Sequence, residues 1–384
     1  MDVRAIIVLG MPGETREKVA TQPLALADVL GTPVAFRVIE RLRKAGVCEV
    51  AVITDTPASA WPTGTGTHGT WTCAATDGVW TKAEQVFEEF VDGGAELVLS
   101  LRLGPYAELN FDDLIQQHVL GGQRITAVVD AQDIPLEMFA ISASRRNDAA
   151  YLLRHQLKDF RSSCELYKFG GYVNRLNSAH DLRMLAIEGL MQRIELSPVG
   201  EQIKPGVWAG SGAQIHRRAR IVGPAFIGAG SRVRAAAVVT RCTALEHHTV
   251  VDCGTVIENA STLPYTYIGA GLDVTHAVVG HNRVWNLKRN VEVEFADPRL
   301  IGEASSNAPL RALGSLFSLA SFLPAELLRG FFRGNQRECP PSLPEAIKTP
   351  AAALEAPVNR TAPAVDAGEF PGNLVIARRY GGNE

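Results

Sequence analysis

Ile221-Val222-Gly223-Pro224-Ala225-Phe226-Ile227-Gly228-Ala229-Gly230-Ser231-Arg232-Val233 sets an aliphatic residue at every sixth position. The step extends in both directions, so that Ile203, Ala209, Ile215, Ile221, Ile227, Val233, Val239, Leu245, Val251, Ile257 and Leu263 are all apolar. In a chain that is 46% apolar, eleven such hits in one phase arise by chance roughly twice in ten thousand. A period of six is neither 3.6 nor 7, which excludes an amphipathic helix and a coiled coil. Glycine follows the aliphatic residue in Ile227-Gly228 and Ile268-Gly269, where a tight corner would want it. Leu263-Pro264-Tyr265 interrupts the register, and Ile268 and Val274 resume it.

Upstream the texture is different. Ala5 to Leu9 is a continuous apolar run that breaks into Gly10-Met11-Pro12-Gly13, as a buried parallel strand ends in a loop. Pro33 to Ala45 puts Val34, Val38, Ile39 and Leu42 on one helical face, Gly46 stops the helix, and Val50 to Ile53 reads as the next strand. Leu97-Val98-Leu99 and Thr126-Ala127-Val128-Val129 repeat the strand pattern around a helical stretch from Phe111 to Leu120. The first half is therefore expected to be a doubly wound, Rossmann-like α/β domain. Downstream of Pro298 both patterns are lost. Residues 309–333 are rich in Leu and Phe with no charge between Arg311 and Glu326, and they read as an amphipathic helix that packs on the repeats or meets a membrane surface. From Cys339 to Gly368 the chain is rich in Pro and Ala, which reads as a mobile linker. The division is thus 1–195, 203–295, a helical segment 300–335 and a tail 336–384.

The 384 residues carry a net charge of −3, which gives no electrostatic footprint for nucleic acid. The amino terminus lacks the long apolar core of a secretion signal, and a cytoplasmic location is expected. Six scattered cysteines form no Cys-x-x-Cys pair and read as reduced.

Hexads of this kind resemble those of the left-handed parallel β-helix, a triangular prism with the aliphatic side chains on its axis. That resemblance implies about four coils of eighteen residues. The first half resembles the sugar-phosphate nucleotidyltransferases, whose opening reads A-I-I-L-A-G-G-x-G-T-R followed by P-K-P-L-x-P-V-x-G-K-P. Here the opening is Ala5-Ile6-Ile7-Val8-Leu9-Gly10-Met11-Pro12-Gly13, then Pro23-Leu24-Ala25-Leu26 through Gly31-Thr32-Pro33. In that family the glycine loop lays N–H groups on the nucleotide phosphates, a lysine neutralises charge at the reacting phosphate, and two aspartates hold Mg²⁺. Gly10 and Gly13 are the phosphate-loop positions that remain. Leu24 stands at the lysine, Arg102 at the first aspartate, after Leu97-Val98-Leu99-Ser100-Leu101, and Arg175 at the second, within Gly171-Tyr172-Val173-Asn174-Arg175.

Mg²⁺ takes hard oxygen ligands, which two arginines do not supply. Guanidinium groups do bind phosphate through charge-assisted, often bidentate, hydrogen bonds. The resemblance therefore implies a catalytically degenerate member of nucleotide-sugar metabolism, without a metal cofactor. It would bind a nucleotide sugar or sugar phosphate through Gly10, Gly13, Arg102 and Arg175, as a homo-oligomer or with an active homologue. Mg²⁺ is expected only if the chain is active through relocated groups. A third class is open, since β-helices also serve as acyltransferases with a histidine as general base. His216, His247, His248, His276 and His281 lie in or beside the repeats, and no acidic partner is assigned to any of them.

Overall fold

The computed structural model describes residues 1–9, 23–62, 68–75, 78–143, 165–304 and 377–379. The amino-terminal half is a seven-stranded sheet of β1 (Val3–Leu9), β2 (Glu49–Thr54), β3 (Thr70–Cys73), β4 (Leu97–Arg102), β5 (Ile125–Asp130), β6 (Pro135–Ser142) and β7 (Glu165–Phe169). The spatial order is β7-β5-β6-β4-β1-β2-β3. All pairings are parallel except that β6 runs antiparallel to both β4 and β5.

β1 shows why the sheet is covered on both sides. Its alternate residues Ala5, Ile7 and Leu9 belong to one buried cluster and Ile6 and Val8 to the other, as the two-residue repeat of a strand requires. Helices α1 (Val34–Lys44), α3 (Phe111–Gly121) and α4 (Ala179–Leu190) contribute to the first cluster, and α2 (Val79–Asp92) places Val79, Ala83, Val86, Phe87 and Phe90 in the second. The expected strands and helices fall where the apolar patterns put them. Asp112 and Asp113 line the first turn of α3, but the cap is Asn110, whose side chain accepts from both of their N–H groups.

From Val207 the chain winds through three parallel sheets in rotation. Face one contains Val207–Ala209, Ala225–Ile227, Thr243–Leu245, Ser261–Thr262 and Ala277–Gly280. Face two contains Gln214–Ile215, Arg232–Val233, Val250–Val251 and Thr266–Ile268; face three contains Arg220–Ile221, Val238–Thr240, Val256–Glu258 and Asp273–Thr275. Ile221, Ile227, Val233, Val239, Leu245, Val251, Ile257, Ile268 and Val274 fill one interior cluster. Ile203 does not join them: it is 47% exposed, on a strand that runs antiparallel to Val207–Ala209.

The irregularity falls one residue earlier than the sequence suggests. Leu245 pairs with Thr262, not Leu263, so the step after Ile257 is five residues. Thr262 takes the stacked position, and Leu263 joins the core cluster of the α/β half instead. The next coil shortens likewise, because Thr262 pairs with Val279.

The glycines that follow an aliphatic residue serve close approach, not a left-handed turn. A Cβ on Gly228 would lie 2.6 Å from backbone atoms of the neighbouring coil. Left-handed corners fall two residues on, at Gly230 (φ +66°) and Gly271 (φ +69°).

Ile301–Glu303, in the stretch expected to be helical, pairs antiparallel with Thr266–Ile268. Ala377–Arg379, in the segment 336–384 expected to be a mobile tail, pairs antiparallel with Val291–Val293. The proposed helix 309–333 lies outside the described residues. No described helix is long and apolar enough to cross a membrane. Cys48, Cys73 and Cys242 are free thiols, as expected, whereas Cys253 is disulfide-bonded and so departs from the reduced state expected of all six.

Candidate functional site

The strand order reverses between β1 and β4: the chain steps outward through β2 and β3, then returns to the other side of β1. In open α/β sheets ligands sit at such a switch, outside the carboxyl ends of the strands. Here that edge is formed by Leu9, Thr54, Arg102 and Asp130, the last residues of β1, β2, β4 and β5.

Arg102 ends β4 opposite Val8 of β1. Its Nε lies 3.5 Å from Glu137 Oε2 on β6, and its side chain is only 13% exposed. Arg175 follows the short strand Val173–Asn174 and forms an ion pair with Asp130 at the end of β5. Its Nη1 also donates to the Pro135 carbonyl at 3.2 Å. The β5–β6 hairpin therefore holds both arginines, Arg175 through the end of β5 and Arg102 through Glu137 of β6. Asp130 is fixed in turn by N–H groups of Gln132 (2.9 Å) and Ile134 (2.8 Å) on its other oxygen. Burial disfavours its charged form, but those N–H groups and Arg175 outweigh it and hold the carboxyl below its usual range.

Leu24 is not at this edge as a reacting group. It lies in a single 3₁₀ turn, Leu24–Leu26, with all three side chains buried in the core. Gly10 and Gly13 lie outside the described residues, so of the expected ligand-binding set Arg102 and Arg175 are the ones that can be placed. Two guanidinium groups balanced by two carboxylates make an edge that can exchange an internal partner for phosphate oxygens. Among the described residues, no group of three His, Cys, Asp or Glu side chains converges as a metal site would.

A second polar centre joins the α/β half to the coil, and it was not foreseen. Glu246, on the coil between Leu245 and His247, is 2% exposed. Its two oxygens accept the N–H groups of Leu30 (2.7 Å) and Gly31 (2.8 Å), at the tip of the hairpin Asp28–Pro33. Leu30 and Gly31 both have positive φ, so their N–H groups form a small nest of the kind that captures anions. Arg37 of α1 holds the same tip through the carbonyls of Val29 (2.8 Å) and Leu30 (3.2 Å).

Burial drives the Glu246 carboxyl up to about 7, with the Asp28 charge adding to the effect and the two N–H groups opposing it. Beside it, His247 Nδ1 lies 3.0 Å from Asp28 Oδ2. Burial alone would lower the histidine, but the bond to Asp28 outweighs it and raises its pKa. The absence of an acidic partner for the coil histidines is thus corrected: the partner comes from a hairpin more than 200 residues away, beyond the reach of local spacing. A signal did exist in Leu245-Glu246, where Ile227 and Ile268 are followed by glycine.

The reciprocal contact runs from α4 to the coil. Arg183 is 2% exposed and donates to the Cys242 carbonyl (2.6 Å), Asn259 Oδ1 (2.8 Å) and Ser261 Oγ (3.1 Å). Burial lowers its pKa to about 10. A cavity of about 330 Å³ at the opposite, amino edge of the sheet is lined by Glu96, His118, Gln123 and Ser142 among others. His118 is satisfied there by Thr126 Oγ1 (2.8 Å) and Ser142 Oγ (2.9 Å), and burial lowers its pKa. No family model matches the chain, and no curated protein matches it closely enough to count as a relative.

Proposed function

We propose that the chain is a non-catalytic counterpart of the sugar-phosphate nucleotidyltransferases, with a left-handed coil, that binds a nucleotide sugar or sugar phosphate at the carboxyl edge of its sheet. The observation that carries this reading is Arg102, which ends β4 at the switch point where a ligand's phosphates would lie. A guanidinium there supplies phosphate donors and no metal ligand. Its pairing with Glu137, and that of Arg175 with Asp130, keeps both groups oriented while the edge is empty of anion. A bound diphosphate would then compete with two internal carboxylates, which favours modest, exchangeable binding.

The test pairs an activity with a binding readout. A panel of nucleotide sugars with pyrophosphate and Mg²⁺ is expected to release no nucleoside triphosphate, while at least one member raises the melting temperature of the wild type and not of Arg102→Ala. Turnover abolished by a chelator would replace this reading with that of an active enzyme using other groups. Equal stabilisation of wild type and Arg102→Ala would remove Arg102 from the site.

A second reading draws on one specific observation. Asp28 orients His247 as an acid orients a general base, which is what β-helix acyl transfer would use. Hydrolysis of an acyl thioester lost in His247→Gln would favour it.

A further inference from the structure

Face three of the coil carries an outward row whose chemistry is the reverse of itself. The register stacks Arg220 on Val238, Val238 on Val256 and Val256 on Asp273. The inward neighbours Ile221, Val239, Ile257 and Val274 fill the interior, so these four residues point away from it. Arg220 and Asp273 are exposed, and the two valines between them are half-buried. Coils stack at about 4.8 Å, which puts the arginine and the aspartate about 14 Å apart on their own chain. Neither has an ion-pair or side-chain hydrogen-bond partner among the described residues.

The two ends of the coil differ in charge on a larger scale. From Gln202 to Leu245 there are seven Lys or Arg and no Asp or Glu, whereas from Glu246 to Ala304 there are eight Asp or Glu and four Lys or Arg.

We infer that face three is a self-association surface, on which a second copy of this chain docks antiparallel about a two-fold axis that passes between Val238 and Val256. A two-fold contact uses the same patch on both partners and must be self-complementary. In the antiparallel arrangement Arg220 meets the partner's Asp273, Asp273 meets the partner's Arg220, and the valine pairs close against each other. A parallel arrangement would set Arg220 against Arg220 and Asp273 against Asp273, so the row selects the direction.

The other faces do not offer this. Face one is covered, since Phe226, Ala244 and Val278 belong to the core cluster of the α/β half. The outward row of face two is Gln214, Arg232, Val250 and Tyr267, in which an antiparallel copy would set Arg232 against valine. With six residues per side and four coils, face three measures about 20 Å by about 20 Å, roughly 400 Å² per partner, which belongs to the small and reversible class of interface. The surface is independent of whatever the carboxyl edge binds.

Sedimentation velocity of the full chain from about 5 to about 500 µM at low salt tests the assignment. The wild type is expected to shift with concentration from 41.4 kDa toward twice that mass. Arg220→Glu and Asp273→Arg should each raise the dissociation constant at least about tenfold, as loss of one close charge pair does twice over in a symmetric contact. The combined variant should return to within about threefold of wild type, because reversal of both signs restores the pair. A wild type that stays monomeric throughout, a dimer indifferent to either single change, or a combined variant weaker than both singles would each overturn the proposal. Should a variant fail to fold by circular dichroism, Arg220→Gln with Asp273→Asn and a salt titration of the wild type read the same contact. A dimer that persists unchanged to about 0.5 M salt would then count against it.

Discussion

The coil and the α/β half build their interiors from contacts of very different reach. In the coil each interior residue rests on the one 17 or 18 positions before it, as Leu245 rests on Ile227 and beneath Thr262. In the sheet, β1 lies beside β4 with Val3 opposite Leu97, and β7 joins β5 across almost 40 residues, Glu165 opposite Thr126. A repeated local contact makes each coil an instance of one rule; the sheet has no such rule, and every neighbour must be specified separately. The two parts nonetheless exchange one buried charged group each. Glu246 leaves the coil to bind the hairpin tip, and Arg183 leaves α4 to bind the coil.

If those exchanges fuse the two interiors, damage deep in the coil must be felt by the helices of the α/β half. Ile257 is fully buried in the coil cluster, and Ile257→Ala is expected to lower stability by about 2–5 kcal/mol. Urea unfolding followed by the helical circular-dichroism signal should move with it. A helical transition at the wild-type midpoint, with only the β signal shifted, would show two independent bodies. Arg183→Met is the next largest effect, about 2–3 kcal/mol, because the Cys242 carbonyl and the Asn259 and Ser261 side chains lose a charged donor. Its signature is a loss of coupling: the β and helical transitions separate, which Ile257→Ala does not cause.

That contrast in reach also governs what could be read from the sequence. The six-residue step identified nine of the interior positions because one aliphatic side chain per hexad is what a closed coil needs on its axis. It misplaced Leu263, since apolar character alone cannot distinguish a stacked residue from one that leaves to fill the neighbouring core. In the first half, β1, α1, β4 and α3 were legible because burial on one or both faces imposes a period. The positions of Arg102 and Arg175 at one edge were legible only through the resemblance. Their carboxylates, Glu137 and Asp130, were not, because the turn that brings them there pairs strands by long-range register. Glu246 and Arg183 were hidden for the same reason: a charged residue in a sequence reads as solvated, and only its distant partner makes it a buried one.

The Glu246 contact can be sharpened by pH. Its folded pKa, about 7, lies above the ordinary value of 4.5, so the folded state favours the protonated acid. The stability linked to it is whole below about pH 4.5 and is lost as pH rises through about 7. His247 acts in the same sense, since its folded pKa is raised and its contribution disappears as pH climbs above its ordinary 6.5. The groups that face this centre are Asp28, His247 and Arg37. Stability of the wild type should fall by up to about 2–3 kcal/mol between pH 5 and pH 8, and Glu246→Gln should flatten most of that slope. An unchanged slope in the variant would mean that the pH dependence arises elsewhere.

The smallest effect tests the shortened step of the coil. Thr262 holds a position that aliphatic residues hold in the coils before it, and its hydroxyl explains the exception. Thr262 Oγ1 accepts the Glu246 N–H at 3.1 Å and lies 3.0 Å from Thr249 Oγ1, while Thr249 N–H donates to Ser231 Oγ at 3.0 Å and Ser231 Oγ donates to the Glu246 carbonyl at 2.9 Å. These hydroxyls satisfy the backbone on both sides of Glu246, where the coil gives up a regular contact to send a carboxylate into the hairpin. Thr262→Val keeps the volume and the β-branched shape but strands the Glu246 N–H in the interior, a loss of about 1–2 kcal/mol. Thr262→Ser, which keeps the oxygen and loses a methyl, should lose less than the valine variant by thermal denaturation. The reverse order would mean that the position is an ordinary apolar rung and that the five-residue step has no polar cause.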